Sequence, residues 1–186
     1  MDSSITRRNF IKSAATTGIA LVIGLNAKGV LAIGSEKSAL NPFVKISEEG
    51  VVTVVIKHFE MGQGTTTGLA TLVAEELDAD WDTLTVEFAP ADNKKYKNLL
   101  FGAQGTGGST AIANSFMQYR QAGAAVRDVI VRSAAEEWGI PVQDIFIEKG
   151  ILKAKGHSEN FGKMIKKALS LTPNTAVQLK SSEQFR

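Results

Sequence analysis

At 186 residues, 44% of them hydrophobic, the chain is long enough for one domain with a buried core. Its 21 Lys and Arg against 19 Asp and Glu leave a formal charge of +2, too small a basic excess for a nucleic-acid footprint. Cysteine is absent, which excludes a disulfide framework, a cysteine-ligated zinc and an iron–sulfur cluster held by the chain itself; only His58 and His157, far apart in sequence, could offer imidazole to a metal.

Residues 1–34 read as an export signal rather than part of the fold. Thr6-Arg7-Arg8-Asn9-Phe10-Ile11-Lys12 has the paired arginines, following apolar residues and lysine of a twin-arginine signal. The uncharged run from Ser13 to Ala27 is too short for a membrane span, which needs ~20 apolar residues, and suits a signal core. Ala27 and Ala32 are candidate cleavage points. The expected destination is the periplasm by the twin-arginine route, with inner-membrane association as the alternative to release. That route carries folded proteins, usually ones that acquire a cofactor in the cytoplasm.

Residues 35–42 read as a polar linker closed by Asn41-Pro42, and residues 43–171 as an α/β (α+β) domain with a mixed sheet, packed helices and one long helix. Phe43–Ile46 and Val51–Ile56 have strand composition around the turn Ser47-Glu48-Glu49-Gly50. The second strand is β-branched almost throughout, which predicts a central, buried position. A glycine turn, Glu60-Met61-Gly62-Gln63-Gly64-Thr65, then feeds a helix over 65–77, where Leu69, Leu72, Val73 and Leu77 fall at helical spacing and Glu75, Glu76 and Asp78 are expected toward solvent. Leu84, Val86 and Phe88 alternate with polar residues and predict a half-buried strand ending at Pro90.

Ala91 to Ala103 is a long polar loop, a length that in compact domains usually has a function. The second glycine turn, Gln104-Gly105-Thr106-Gly107-Gly108-Ser109-Thr110, follows it. Ser109 or Thr110 is placed to cap a helix running to about Trp138, with Gly139 and Pro141 as stop signals. Ile112, Phe116, Tyr119, Ala122, Val126, Val129, Ile130 and Ala134 make its apolar face. A hairpin over 144–154 and a short helix over 161–169, capped from Ser158–Asn160, complete the domain; residues 172–186 read as a tail without periodicity, leading away toward further domains.

Glycine turns at helix N-termini expose backbone N–H groups where the helix dipole is positive, so two of them suggest a ligand rich in phosphate or other polar oxygens, held from two sides. Gln63, between two glycines, offers an amide donor and an acceptor where backbone can approach closely. Neither turn is a P-loop, since no lysine follows the last glycine, and neither has the dinucleotide-binding glycine register.

The run from His58 to Leu77, HFEMGQGTTTGLATLVAEEL, resembles the molybdopterin-binding region of the molybdenum hydroxylases, the xanthine dehydrogenase and aldehyde oxidase relatives. Together with the twin-arginine start, Ala89-Pro90-Ala91-Asp92 and the Gln104–Thr110 turn, the chain is similar to the large subunit of isoquinoline 1-oxidoreductase-type enzymes. The resemblance implies molybdopterin cytosine dinucleotide as cofactor, with molybdenum held by the pterin. It implies [2Fe–2S] clusters on a small partner subunit, and hydroxylation of an N-heteroaromatic or an aldehyde with water as oxygen source. The candidate cofactor-binding set is Gly62, Gln63, Gly64 and Thr65 with Gly105, Thr106, Gly107, Gly108, Ser109 and Thr110. The resemblance implies that Gln63 sits near the pterin and its phosphate and that Gly107–Thr110 wrap the pyrophosphate. The family's large subunits are several times longer, and the segment that carries their catalytic glutamate has no counterpart here. No catalytic residue and no metal ligand is therefore assigned. The expected role is one wall of the cofactor site, completed by the remainder of the large subunit. The alternatives are a non-catalytic molybdopterin carrier or assembly protein and an exported binding domain without cofactor.

Overall fold

The computed structural model describes residues 43–172, 174 and 176–186, and the backbone of residues 21–25 and 31–34. The twin-arginine motif and the linker lie outside these residues.

The frame is a five-stranded sheet ordered β2-β1-β3-β4-β5. Its strands are β1 (Leu21–Leu25), β2 (Leu31–Gly34), β3 (Val44–Ile46), β4 (Val52–Ile56) and β5 (Thr85–Phe88). The β3–β4 hairpin has the expected register, with Val44 opposite Val54 and Ile46 opposite Val52. β4 is central and largely buried, as its β-branched composition requires. Leu21–Leu25 and Leu31–Gly34 fall inside the span that the sequence reads as a signal segment. There, β1 pairs antiparallel with β3, and β2 pairs with β1. An uncharged apolar run serves equally as a signal core or as a strand, and periodicity alone does not separate the two.

Helix α1 (Thr65–Leu77) has the expected bounds, and it links β4 to β5, which pair in parallel. The half-buried reading of β5 does not hold: all four of its residues are exposed. Alternation marks which residues share a face, but β5 is an edge strand with neither face covered among the described residues. It is tied to its neighbours by Thr53 Oγ1 to Thr85 Oγ1 at 2.7 Å and by the Lys45–Glu87 ion pair.

Helix α2 (Thr110–Trp138) runs the full expected length and stops at Gly139, whose φ of 65° no side-chain-bearing residue adopts cheaply. Its apolar face is buried from Tyr119 through Ala134, while Ile112 is half-buried and Phe116 exposed. Fully buried side chains such as Tyr119, Ile130, Leu69 and Phe43 contribute ~1.5–3 kcal/mol each by leaving water. Gly68 of α1 faces Ile112, and Gly123 of α2 faces Val73 and Glu76. Residue numbers thus rise together along both helices, which run in the same direction with their N-termini at one end.

A three-stranded sheet, β6 (Phe146–Glu148), β7 (Ile151–Ala154) and β8 (His157–Asn160), packs beyond α2. The sequence marks Ser158–Asn160 only as a cap, and β8 is a strand that its polar composition does not signal. Asn160 does cap: its side chain accepts from Gly162 N–H and starts a 3₁₀ turn, Phe161–Met164, ahead of the short helix α3 (Ile165–Ala168).

Two further expectations are corrected. Glu76 is fully buried, not solvent-facing, and is paired with Arg120 at 2.5 Å and Arg127 at 3.3 Å from α2. The segment after residue 172 folds back onto this cluster. Lys180 N–H donates to Glu76, Arg120 donates to Lys180 O, Lys180 Nζ pairs with Asp78 at 2.6 Å, and Phe185 stacks against the Arg120 guanidinium. An acidic residue at a helical position beside leucines reads as surface until the arginines of another helix are seen to face it.

Candidate functional site

The parallel run of α1 and α2 brings both glycine turns to the same end of the molecule. They touch directly. Phe59 N–H donates to Thr106 Oγ1 at 2.9 Å, and His58 Nδ1 donates to Gly105 O at 3.1 Å. Because a carbonyl only accepts, Nδ1 carries the proton and Nε2 presents its lone pair, to Ser115 Oγ at 3.0 Å and Asn114 Nδ2 at 3.2 Å. Burial, then the neighbouring Lys57 charge, push the His58 pKa below its ordinary value, so the ring is neutral at physiological pH. A buried, satisfied histidine here fixes the spacing of the two turns.

Lys57, the residue before His58, is 4% exposed, its ammonium donating to Gln118 Oε1 at 2.6 Å, Asn114 Oδ1 at 3.3 Å and Lys97 O at 3.3 Å. Burial lowers its pKa to about 8. Sequence reasoning passed over Lys57 because a lysine at a strand end normally points to solvent. Its neighbours on α2 are the signal that could have been read: Asn114 and Gln118, one turn apart, place amide oxygens on one helix face.

The first turn is closed on itself. The Glu60 carboxylate accepts from Gly62 N–H at 2.8 Å, Gly64 N–H at 3.0 Å and Thr66 N–H at 2.9 Å. Those three N–H bonds, with Thr66 and Gly64 strongest, hold its pKa down at about 2. Gln63, expected to present its amide outward, spends it locally: Oε1 accepts from Met61 N–H, while Nε2 donates to Phe59 O and to Thr65 Oγ1. Gly62 and Gly64 take φ of 93° and 79°, which the turn needs.

The second turn is open. Gln104 anchors it by accepting from Asp92 N–H and donating to Pro90 O, and Thr110 Oγ1 accepts from Asn98 Nδ2 while donating to Gly107 O. Ser109 occupies the cap position of α2 with φ of 54°, but its side chain caps nothing. Among the described residues, no acceptor meets the N–H groups of Gly107, Gly108 and Ser109. A Cβ built on Gly105 or Gly107 finds no heavy atom within 4 Å. This end of the chain is thus a shallow cradle with free donors at the N-terminus of a 29-residue helix. Two clefts of about 450 and 330 Å³ lie instead near the C-terminal end of α1, around Asp78, and neither includes a residue of the turns.

These features define the class, an α/β ligand-binding domain built on paired glycine turns. The chain belongs to the molybdopterin cofactor-binding domain family, whose model matches residues 3–186. It is 34% identical over 169 residues to the beta subunit of isoquinoline 1-oxidoreductase from Brevundimonas diminuta, covering 87% of this chain and 22% of that one. It is 28% identical to a membrane-bound aldehyde dehydrogenase (pyrroloquinoline-quinone) of Gluconacetobacter polyoxogenes, covering 89% of this chain and 22% of that one. To one subunit of nicotinate dehydrogenase from Pseudomonas putida it is 30% identical, covering 92% of this chain and 15% of that one. A crystal structure of the Cu,Mo-CO dehydrogenase matches 85% of this chain and 20% of its own with a TM-score of 0.51 at 17% identity, a likeness of fold. The chain thus spans about a fifth of the length of the first two relatives and less of the third.

The residues present fit a phosphate-bearing cofactor at the second turn, where donors and space coincide. At the first turn the fit is to uncharged groups, since Glu60 already fills the N–H cluster.

Proposed function

We propose that this chain contributes one wall of the molybdenum cofactor site of an oxidoreductase large subunit that hydroxylates N-heteroaromatics or aldehydes. The observation that carries the reading is the convergence of the two turns through His58–Gly105 and Phe59–Thr106, with the donors of Gly107, Gly108 and Ser109 left free. When bound, the cofactor supplies the redox centre and activates water as the oxygen source. The chain's own residues bind and orient it. Gly107–Ser109 hold its pyrophosphate, in the cytosine dinucleotide form, and Gly62–Thr65 stand at the uncharged pterin end.

Exposed apolar side chains around the turns support a covering surface from the remainder of a large subunit: Phe59 at 69%, Met61 at 70% and Leu100 at 67% exposure, with Phe88 and Phe101 beside them. A small iron–sulfur subunit as electron partner is supported by two relatives that are each one subunit of an enzyme, and twin-arginine export to the periplasm by residues Thr6–Lys12.

Gly107→Val tests the cofactor reading. Gly107 has no positive φ and open space at its Cβ, so the variant keeps the fold while filling the cradle. The expected outcome is molybdenum and pterin retained by the assembled large subunit purified from a cofactor-producing host and lost when that subunit carries the variant, with melting temperatures within about 2 °C of each other. Equal retention by both proteins refutes the placement.

A further inference from the structure

Strand β5 ends the five-stranded sheet with one hydrogen-bonding side open. Val55 N–H donates to Phe43 O at 2.9 Å, so that residue of β4 faces β3, and Ala89 N–H donates to Ile56 O at 2.8 Å, so Val54 and Ile56 face β5. Successive residues of a strand direct their N–H and C=O groups to opposite sides. Thr85 and Glu87 therefore face β4, as Ala89 does, while Val86 and Phe88 direct both groups away from the sheet. Among the described residues, none meets those outward groups.

The side chains of the same two residues prolong a buried face. Val54 and Ile56, opposite them in register, are fully buried, whereas Val86 and Phe88 are exposed. Phe88 also lies against Phe59, with ring centroids 6.4 Å apart, which joins this apolar strip to the exposed residues around the first turn. The other face is polar and already settled: Thr85 is bonded to Thr53, and Glu87 is paired with Lys45. Edge strands that stay in water are guarded by charge, proline or a bulge. Over Thr85–Phe88 the single charge is Glu87, which Lys45 neutralises, so β5 is unguarded.

A second copy of this chain fits that edge poorly. In an antiparallel pair of β5 strands, outward-facing residues must meet outward-facing ones. Centred on Glu87, the pair sets like charges directly opposite each other. Centred on Phe88, it sets Val86 against Pro90, which has no N–H; centred on Val86, it sets Phe88 against Leu84, whose N–H already donates to Trp81 O at 3.3 Å. The relatives supply a better occupant. This chain spans 22%, 22% and 15% of their lengths, so most of such a subunit lies outside it.

We infer that β5 is an interior strand of the whole subunit: an extended segment from the remainder of the large subunit adds to the sheet beside it. The added strand bonds the main chain of Val86 and Phe88 and lays its own apolar side chains against theirs. This pairing rests on the reading of the chain as part of a large subunit, and it adds the place where the rest is joined; no cofactor contact enters it.

Hydrogen exchange of the assembled large subunit, read residue by residue by mass spectrometry, tests the pairing. Glu87 N–H, which faces β4 within this chain, is the internal standard. After correction for intrinsic rates, Val86 and Phe88 N–H are expected to exchange within about tenfold of Glu87. Val86→Pro, which a free edge tolerates at an outward N–H, is expected to speed exchange at Phe88 by about tenfold, because it removes one bond to the added strand. Should that variant fail to fold, the wild-type rates decide alone. Val86 and Phe88 exchanging at intrinsic rates beside a slow Glu87 overturn the pairing. Protection found only in a dimer by sedimentation, or only with a small partner subunit bound, assigns the edge to another occupant and also overturns it. Molybdenum content of the same preparation is read separately. Slow Val86 and Phe88 without molybdenum support the added strand and refute the cofactor reading, and molybdenum retained with fast Val86 and Phe88 refutes the added strand alone.

Discussion

Glu76→Gln is the sharpest test of how the domain is held together. The carboxylate is fully buried on α1 and meets Arg120, Arg127 and Lys180 N–H, so three separate pieces of chain, α1, α2 and the returning segment after residue 172, converge on two oxygens. The substitution preserves shape but removes the charge that the two guanidinium groups, themselves 14% and 20% exposed, were buried against. Removing one partner of a buried pair costs ~3–5 kcal/mol, since the other charge stays desolvated. That is a large share of the ~5–15 kcal/mol by which a domain is stable, and at ~2–4 °C per kcal/mol for this size it lowers the melting temperature by ~6–20 °C. Urea unfolding followed by far-UV circular dichroism measures the loss. Glu75→Gln is the matched control: that side chain is half-buried and accepts only from Arg186 N–H, so its loss is expected below ~1 kcal/mol. If both variants unfold within ~1 kcal/mol of the wild type, the cluster is not the clasp described here.

Two further outcomes follow from the same contacts. Gly123→Ala places a Cβ 2.9 Å from Glu76 Cβ and 3.0 Å from Val73 O, against backbone that cannot swing away, so the α1–α2 seam must open. The expected loss is ~1–3 kcal/mol despite alanine's better helix propensity, read by the same unfolding curves, and a gain in stability would contradict the close approach. Glu60 has a folded pKa of about 2 against an ordinary 4.5, so its contribution to the first turn is fully present above about pH 4.5 and disappears as pH falls through about 2. Amide hydrogen exchange at Gly62, Gly64 and Thr66 should therefore be slower in the wild type than in Glu60→Gln at neutral pH and should converge toward pH 2. Equal exchange at neutral pH would show that those N–H groups are not held by the carboxylate.

Much of the fold was legible because its signals are local. A β-branched run, 3.6-residue periodicity and a glycine after Trp138 mark β4, α1 and α2 with bounds that the structure reproduces within a residue or two. What was not legible depends on which element covers which. β5 alternates like a half-buried strand but has no layer over either face among the described residues, and Glu76 sits at a helix position that is surface in isolation and interior only once Arg120 and Arg127 arrive from α2. Leu21–Leu25 shows the same limit, because an apolar uncharged run has no periodicity that separates a signal core from a strand.

The candidate site divides along the same line. Glycines before helices told where donors could be, and both turns do meet at one end of the molecule. Whether a donor is free is a separate question, decided by side chains a few residues away. In the first turn Glu60 and Gln63 consume the N–H groups of Met61, Gly62, Gly64 and Thr66, and the spacing of a glutamate two residues before the first glycine is what allows it. In the second, the nearby polar side chains are committed elsewhere: Gln104 to Pro90 and Asp92, Asn98 to Thr110, Asn114 to His58 and Lys57. The donors of Gly107, Gly108 and Ser109 stay free for that reason, and not because the turn is richer in glycine. A glycine turn is a binding site only to the extent that its own neighbourhood lacks an acceptor able to reach it. By that criterion the two turns of this chain, so similar as sequence, are a closed loop and an open cradle of free donors.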